Sequence, residues 1–156
     1  MEESNVERIL IAGQTIAAGK YVIKRAVEYS KKRVVFPPDP IGKYQGIQYP
    51  LADAWIRLEA ADQMKWKALE LLEMNGDLKD VGYYANMAKY LSGEACSLAS
   101  RYSMWTHGGY GYSIELDIER FWRAAELFEG PGQISSHMIL NFIATNILDL
   151  PRSYGE

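Results

Sequence analysis

Residues that could do chemistry are concentrated between Trp105 and Ile134. A doubled glycine turn, Gly108-Gly109-Tyr110-Gly111-Tyr112, leads to Glu115, Glu119-Arg120 and Arg123, and then to Phe128-Glu129-Gly130-Pro131-Gly132-Gln133-Ile134. Glycine lets a backbone take positive φ, turn sharply and come close to a ligand. A carboxylate held between two such turns is either a solvated loop residue or a positioned base, and spacing alone leaves both readings open.

Two arginines outside this stretch also raise the question of a ligand. Arg33 falls at the end of a helical pattern, where a cation complements the helix dipole. Arg8 falls near the start of the same pattern and opposes the dipole; an anionic ligand or a neighbouring glutamate would account for it. A bundle metal site of the carboxylate type needs glutamate three residues before histidine, and neither His107 nor His137 has one, so no metal site is expected. Trp55, Trp66 and Trp105 are expected to pack rather than to stack on a ligand.

The elements that must position these groups read as helices. Ser4 and Glu7 have the spacing of a capping box and predict a helix from there to about Lys32. Its stripe is Ile9, Ala12, Ile16, Gly19, Ile23 and Ala26, widened by Leu10, Ala17 and Val22 so that more than one side is covered. Pro37-Pro38-Asp39-Pro40 ends it. A second helix starts between Gly42 and Gly46, with Pro50 in its first turn or at a small kink, and stops at Asn75-Gly76. A third, capped by Asp77 or Asp80, carries its stripe from Val81 to Trp105. Two shorter helices are predicted, from about Asp117 to Leu127 and from about Gln133 to Leu148. No strand-like alternation is present. The fold class expected is all-α, a single antiparallel up-and-down helical bundle over residues 1–156.

Composition bounds the function further. The chain has 156 residues, 48% of them apolar, and a net charge of -3 without an extended basic run, which argues against nucleic acid and against a polybasic membrane contact. The most apolar window, Met138 to Leu150, is too short to cross a bilayer, and Cys96 stands alone, so a reducing, cytoplasmic setting is expected.

Several pieces coincide with one family pattern. They are Asn5 and Arg8; Tyr29 to Phe36 with Arg33; Pro40-Ile41; Gln45, Gln48 and Leu51-Ala52-Asp53; the Gly108 to Tyr112 turn; Glu119-Arg120 and Arg123; and Glu129-Gly130 followed by Ile134. In this order and spacing, across almost the whole chain, the sequence resembles the C-terminal helical domain of the acyl-CoA dehydrogenases. These are flavoenzymes that oxidise the Cα–Cβ bond of acyl-CoA thioesters.

The resemblance implies that Glu129 is the base that takes the α-proton while FAD accepts the β-hydride. It implies that Asn5, Arg8, Phe128, Glu129 and Gly130 bind substrate. Arg33, Phe36, Gly108 and Gly109 would contact the FAD of a neighbouring subunit, with Trp105 and Pro131 at further flavin-contact positions. The chain departs from the pattern there: Trp105 replaces a Gln, Pro131 a Thr, Val35 a Thr of some members and Ala124 an Asp, while the segment between Arg123 and Glu129 is shorter. The resemblance further implies a homo-oligomer, dimer or tetramer, and reliance on an N-terminal helical domain and a middle β-domain that lie outside this sequence, without which the chain would be inactive. A different class of reading is a non-catalytic bundle that serves oligomerisation or partner binding.

Overall fold

The computed structural model describes residues 2–130 and 134–153. Three long helices, α1 (Glu2–Lys32), α2 (Gln45–Glu73) and α3 (Leu78–His107), are followed by two short ones, α4 (Ile118–Glu129) and α5 (Ser136–Asn146). The expected all-α up-and-down bundle is the architecture found. Asn5 reaches the Leu78 carbonyl near the start of α3, and Ser103 donates 3.0 Å to the Val22 carbonyl further along, so α1 and α3 run parallel with α2 returning between them.

The long helices pack closely because α3 offers them small side chains at spacings of three and four. Ala85, Ala88, Ser92, Ala95, Ala99 and Ser103 are all buried. Val22, Ile23, Ala54 and Leu58 close on Ala95 and Ala99 in one core cluster, and Ile9 and Ala68 close on Val81 and Ala85 in a second. The approach is tightest at Gly19, where a Cβ would stand 2.7 Å from Leu58 Cδ2 and 3.4 Å from Cys96 Cα. Asp77 caps α3 by accepting from the Lys79 N–H at 2.8 Å.

Some local expectations change. α1 begins at Glu2, so Ser4 lies inside the helix and there is no capping box at Ser4 and Glu7. Leu10 is 67% exposed and Ala17 is exposed, so the stripe of α1 is narrower than read; only Val22 of the three widening residues is buried, because α2 and α3 cover the inner side of α1 and α4, across a cleft from Ala17, covers only part of the rest. Pro50 falls in the second turn of α2, past the first turn, one of the two places expected for it. A short hairpin, β1 (Val34–Phe36) with β2 (Asp39–Pro40), occupies the proline-rich turn, too brief to leave an alternating pattern. Trp66 and Trp105 are exposed rather than packed. Trp66 carries the Lys65 ammonium 4.4 Å over its ring. Among the described residues no helix is long and apolar enough to cross a membrane, and no group of His, Cys, Asp and Glu could hold a metal ion.

Candidate functional site

The residues singled out from the sequence line separate clefts. One of those clefts, about 750 Å³, lies where α1 ends and α3 ends, and Arg33, Phe36, Trp105, Gly108 and Gly109 all line it. Arg33 follows the last turn of α1, and its carbonyl accepts from the Ile41 N–H at 2.7 Å, closing the hairpin. That return is close: a Cβ on Gly42 would lie 3.0 Å from Ser30 Oγ.

On the other wall α3 stops at Gly108, whose φ of 60° combined with a ψ of -138° is a conformation essentially reserved for glycine. The chain then folds back over Met104 in a short 3-10 turn, Gly108–Tyr112. Nothing lies within 4 Å of where a Cβ on Gly108 or Gly109 would stand, so this backbone is open to an approaching group. Phe36 and Trp105 are exposed, and no hydrogen bond or ion pair among the described residues holds the Arg33 guanidinium.

Tyr29 and His107 also line this cleft, and neither was singled out as functional. The His107 ring sits 4.4 Å from the Tyr29 ring, and its Nδ1 lies 2.7 Å from the Ser103 carbonyl, which requires the Nδ1–H tautomer. Burial lowers the His107 pKa from its ordinary value, and the bond to Ser103 opposes that only in part. Adjacency of His107 to the glycine turn was the one signal in the sequence.

Glu129, the last residue of α4, lines a second cleft of about 470 Å³ with Gly130, Tyr90, Glu94, Ser136 and His137. Its backbone is fixed on two sides. The Ser136 hydroxyl donates to the Glu129 carbonyl, and Gly93 of α3 lets the end of α4 come into backbone contact, since a Cβ there would lie 3.0 Å from the Phe128 carbonyl oxygen. The side chain is half-buried. Tyr90 donates to Glu94 at 2.6 Å, and this bond, with burial and the charges of Glu94 and Glu129, pushes the Tyr90 pKa up to about 12. Tyr90 therefore stays protonated beside Glu129.

Asn5 and Arg8 line a third cleft, about 480 Å³, between α1, α3 and α5. Asn5 is buried, donates to the Leu78 carbonyl at 3.1 Å and accepts from Arg8 Nη1 at 2.9 Å. Arg8 is half-buried, and burial lowers its pKa more than Glu7 raises it. Asn86, one turn before Tyr90 on α3, joins this wall; the sequence pattern around it gave no sign of a role. Phe128 lines a further cleft beside Cys96 and Ala125, and Pro131 lies outside the described residues. The expected substrate residues are thus divided among neighbouring clefts, with Ile134 on the Arg8 side and Ser135 on the Glu129 side. Glu115 is exposed to solvent, and Glu119, largely covered, pairs with Arg123 at 2.7 Å.

With this geometry in hand, the chain can be set beside known proteins. Residues 1–146 match the family described as acyl-CoA dehydrogenase, C-terminal domain. The chain is 39% identical over 150 residues to the acyl-CoA dehydrogenase FadE12 of Mycobacterium tuberculosis, an alignment covering 96% of this chain and 38% of that protein. It is 35% identical to an acyl-CoA dehydrogenase of Bacillus subtilis, over 92% of this chain and 38% of that one. The solved butyryl-CoA dehydrogenase from Megasphaera elsdenii superposes with a TM-score of 0.85 at 28% identity, covering 92% of this chain and 36% of that chain. The sequence therefore spans about 38% of the length of these curated relatives.

Proposed function

The chain belongs to the acyl-CoA dehydrogenase family, as its C-terminal domain, and on that premise we propose that it supplies the base and part of the flavin site for α,β-dehydrogenation of an acyl-CoA thioester. Glu129 takes the α-proton. A thioester acidifies that proton, and a carboxylate on a fixed backbone in a half-buried cleft suits its removal. Ser136 and Gly93 hold the Glu129 backbone, and Tyr90, kept protonated by Glu94, is a neighbour that does not compete for the proton. Asn5 holds Arg8 toward the substrate side.

The residues around the cleft at the ends of α1 and α3 fit a flavin nucleotide. They offer a guanidinium for phosphate, exposed aromatic faces for a ring, and a glycine backbone that leaves room for close approach. Arg33, Phe36, Trp105, Gly108 and Gly109 would hold FAD belonging to a neighbouring subunit of a homo-oligomer. FAD, when bound, supplies the hydride acceptor. The observation that carries this reading is that five residues chosen from the sequence for one cofactor, from two distant stretches, line a single cleft.

The reaction needs the N-terminal and middle domains that family members carry, so the chain alone would be inactive, and we place the enzyme in the cytoplasm. A rival reading as a non-catalytic oligomerisation bundle draws on the separation of Arg8 and Glu129 into different clefts. The test is to supply the two domains by fusion and compare wild type with Glu129→Gln. A loss of about 10²- to 10⁴-fold in turnover with normal flavin content is expected of a general base. Undiminished turnover eliminates Glu129, and absence of flavin binding by the fused wild type favours the rival.

A further inference from the structure

Of the two α3 side chains that line the Glu129 cleft, Tyr90 and Glu94, neither has a proton to offer Glu129. They stand one turn apart, and the Tyr90 hydroxyl gives its one proton to Glu94 Oε1 at 2.6 Å. What the phenol oxygen has left for other partners is its lone pairs. Glu129 is close enough for its charge to be felt at that hydroxyl, after the bond to Glu94, burial and the Glu94 charge, as a cause that keeps Tyr90 protonated. Gly93, between Tyr90 and Glu94 in the sequence, is where the Glu129 backbone meets α3.

The surrounding charges supply no counter-ion to Glu129. Among the described residues no lysine or arginine lines this cleft. On α4, Glu126 accepts from the Ser97 hydroxyl at 3.2 Å, and on α5, His137 is exposed. Lys89, next to Tyr90 on α3, is buried; burial lowers its pKa, and no carboxylate acts on it. Arg57 of α2 feels the Glu94 charge, but it is exposed and paired with Asp53 at 3.0 Å.

Glu129 changes from acceptor to donor during the reaction. The Cα–H bond of the thioester breaks, its proton bonds to a Glu129 oxygen, and its electron pair stays in the acyl group as the new double bond while the β-hydride leaves to FAD. Glu129 carrying that proton can donate to a lone pair of the Tyr90 oxygen, and ionised Glu129 cannot. A tyrosine free to turn its O–H on Glu129 would act in reverse and hold the carboxylate ionised.

We propose that Glu94 is a positioning residue for the base: by taking the Tyr90 proton it makes the phenol oxygen an acceptor, which favours Glu129 in the proton-bearing state reached as the α-proton is transferred. The proposal rests on the reading of Glu129 as the base and adds the pair behind it.

The experiment has two arms. In the full chain, with tyrosine labelled at ¹³Cζ, the Tyr90 signal is assigned by its loss in Tyr90→Phe and followed against pH. It is expected to respond to ionisation of both carboxylates, with one response missing in Glu94→Met and the other in Glu129→Gln. A Tyr90 signal indifferent to Glu129→Gln overturns the proposal.

In the domain-complemented enzyme, turnover is measured against pH. Glu94→Met releases the Tyr90 proton to Glu129, so turnover should fall about threefold to tenfold and the acid limb of the profile should move to lower pH by about 0.5 to 1 unit. Glu94→Gln keeps a weaker acceptor and should show a smaller shift; it takes the place of Glu94→Met if that variant does not fold. Tyr90→Phe removes acceptor and donor together and should move the limb less than Glu94→Met, and adding Glu94→Met to Tyr90→Phe should change nothing further.

An unmoved profile in Glu94→Met overturns the proposal. So does a Glu94→Met effect that survives in the Tyr90→Phe background, which would assign it to the Glu94 charge acting directly. A Tyr90→Phe shift as large as that of Glu94→Met also overturns it, because the phenol would then be donating to Glu129 in the wild type. In each of these cases the base assignment stands if Glu129→Gln is inert, whereas undiminished turnover of Glu129→Gln removes the assignment itself.

Discussion

Gly93 of α3 and Glu129 of α4 are in backbone contact: a Cβ placed on Gly93 would stand 3.1 Å from Glu129 Cα and 3.0 Å from the Phe128 carbonyl oxygen. Neither obstacle is the free end of a side chain, so the two helices must part if that Cβ is added. The missing side chain on one helix therefore sets the depth at which the carboxylate on the other stands.

Gly93→Ala should accordingly act on the site through the backbone. Overpacking of this kind costs about 1–3 kcal/mol, offset in part by the better helix propensity of alanine, roughly 1 kcal/mol. The expected result is a modest fall in denaturation midpoint together with larger amide shifts around Phe128 to Gly130 than around Gly19. Unchanged amide signals at Glu129 would show that the helices do not touch there.

Arg33→Met should weaken flavin retention in the domain-complemented enzyme while leaving the bundle as stable as wild type, because no hydrogen bond or ion pair among the described residues depends on that guanidinium. Flavin content after gel filtration, read beside the thermal midpoint, separates the two effects. Loss of a single charged contact to phosphate, about 1.5–3 kcal/mol, corresponds to roughly tenfold to a hundredfold in affinity.

His107 predicts a pH dependence of stability. Burial holds its pKa in the fold below the ordinary 6.5, so the unfolded chain binds the proton more readily. Its contribution is complete well above pH 6.5, declines as pH falls through that value, and levels off once pH is below the pKa in the folded state. His107→Gln, which can still donate toward Ser103, should flatten this part of the urea-midpoint profile measured against pH. The same slope in the variant would assign it to another group.

Asp62 predicts a dependence in a more acidic window. Burial pushes its carboxyl up, but hydrogen bonds from Lys65 and Lys20 and their charges together outweigh this and hold it below the ordinary 3.8. Lys20 of α1 lies 3.0 Å from Asp62 and 2.8 Å from Glu59 of α2, with both Lys20 and Asp62 largely shielded from water. Their contribution is present above pH 3.8 and is lost as pH falls through the depressed value. Asp62→Asn should cost about 1–2 kcal/mol at neutral pH, between the figures for exposed and buried pairs, and the difference from wild type should shrink below pH 3.8 in equilibrium unfolding.

The sequence by itself determined the number, type and order of the helices, because periodic apolar stripes such as Val81, Ala85, Ala88 and Ala95 leave few alternatives to a bundle. It also determined that Arg33 and the Gly108-Gly109 turn belong to one family pattern, since these positions depend on local chain geometry at helix ends. What it could not decide was how far round each helix the cover would extend. Leu10, Ala17, Trp66 and Trp105 have the composition of core residues and stand in solvent, because burial is a property of the neighbouring helix and not of the stripe. The clefts belong to the tertiary structure in the same sense. Asn86 is an ordinary polar residue in a helical run until the packing of α1 against α3 places it in the wall of the Arg8 cleft, and Glu129 acquires its setting from Gly93, Ser136 and Tyr90, contacts between elements that spacing along a single chain does not encode.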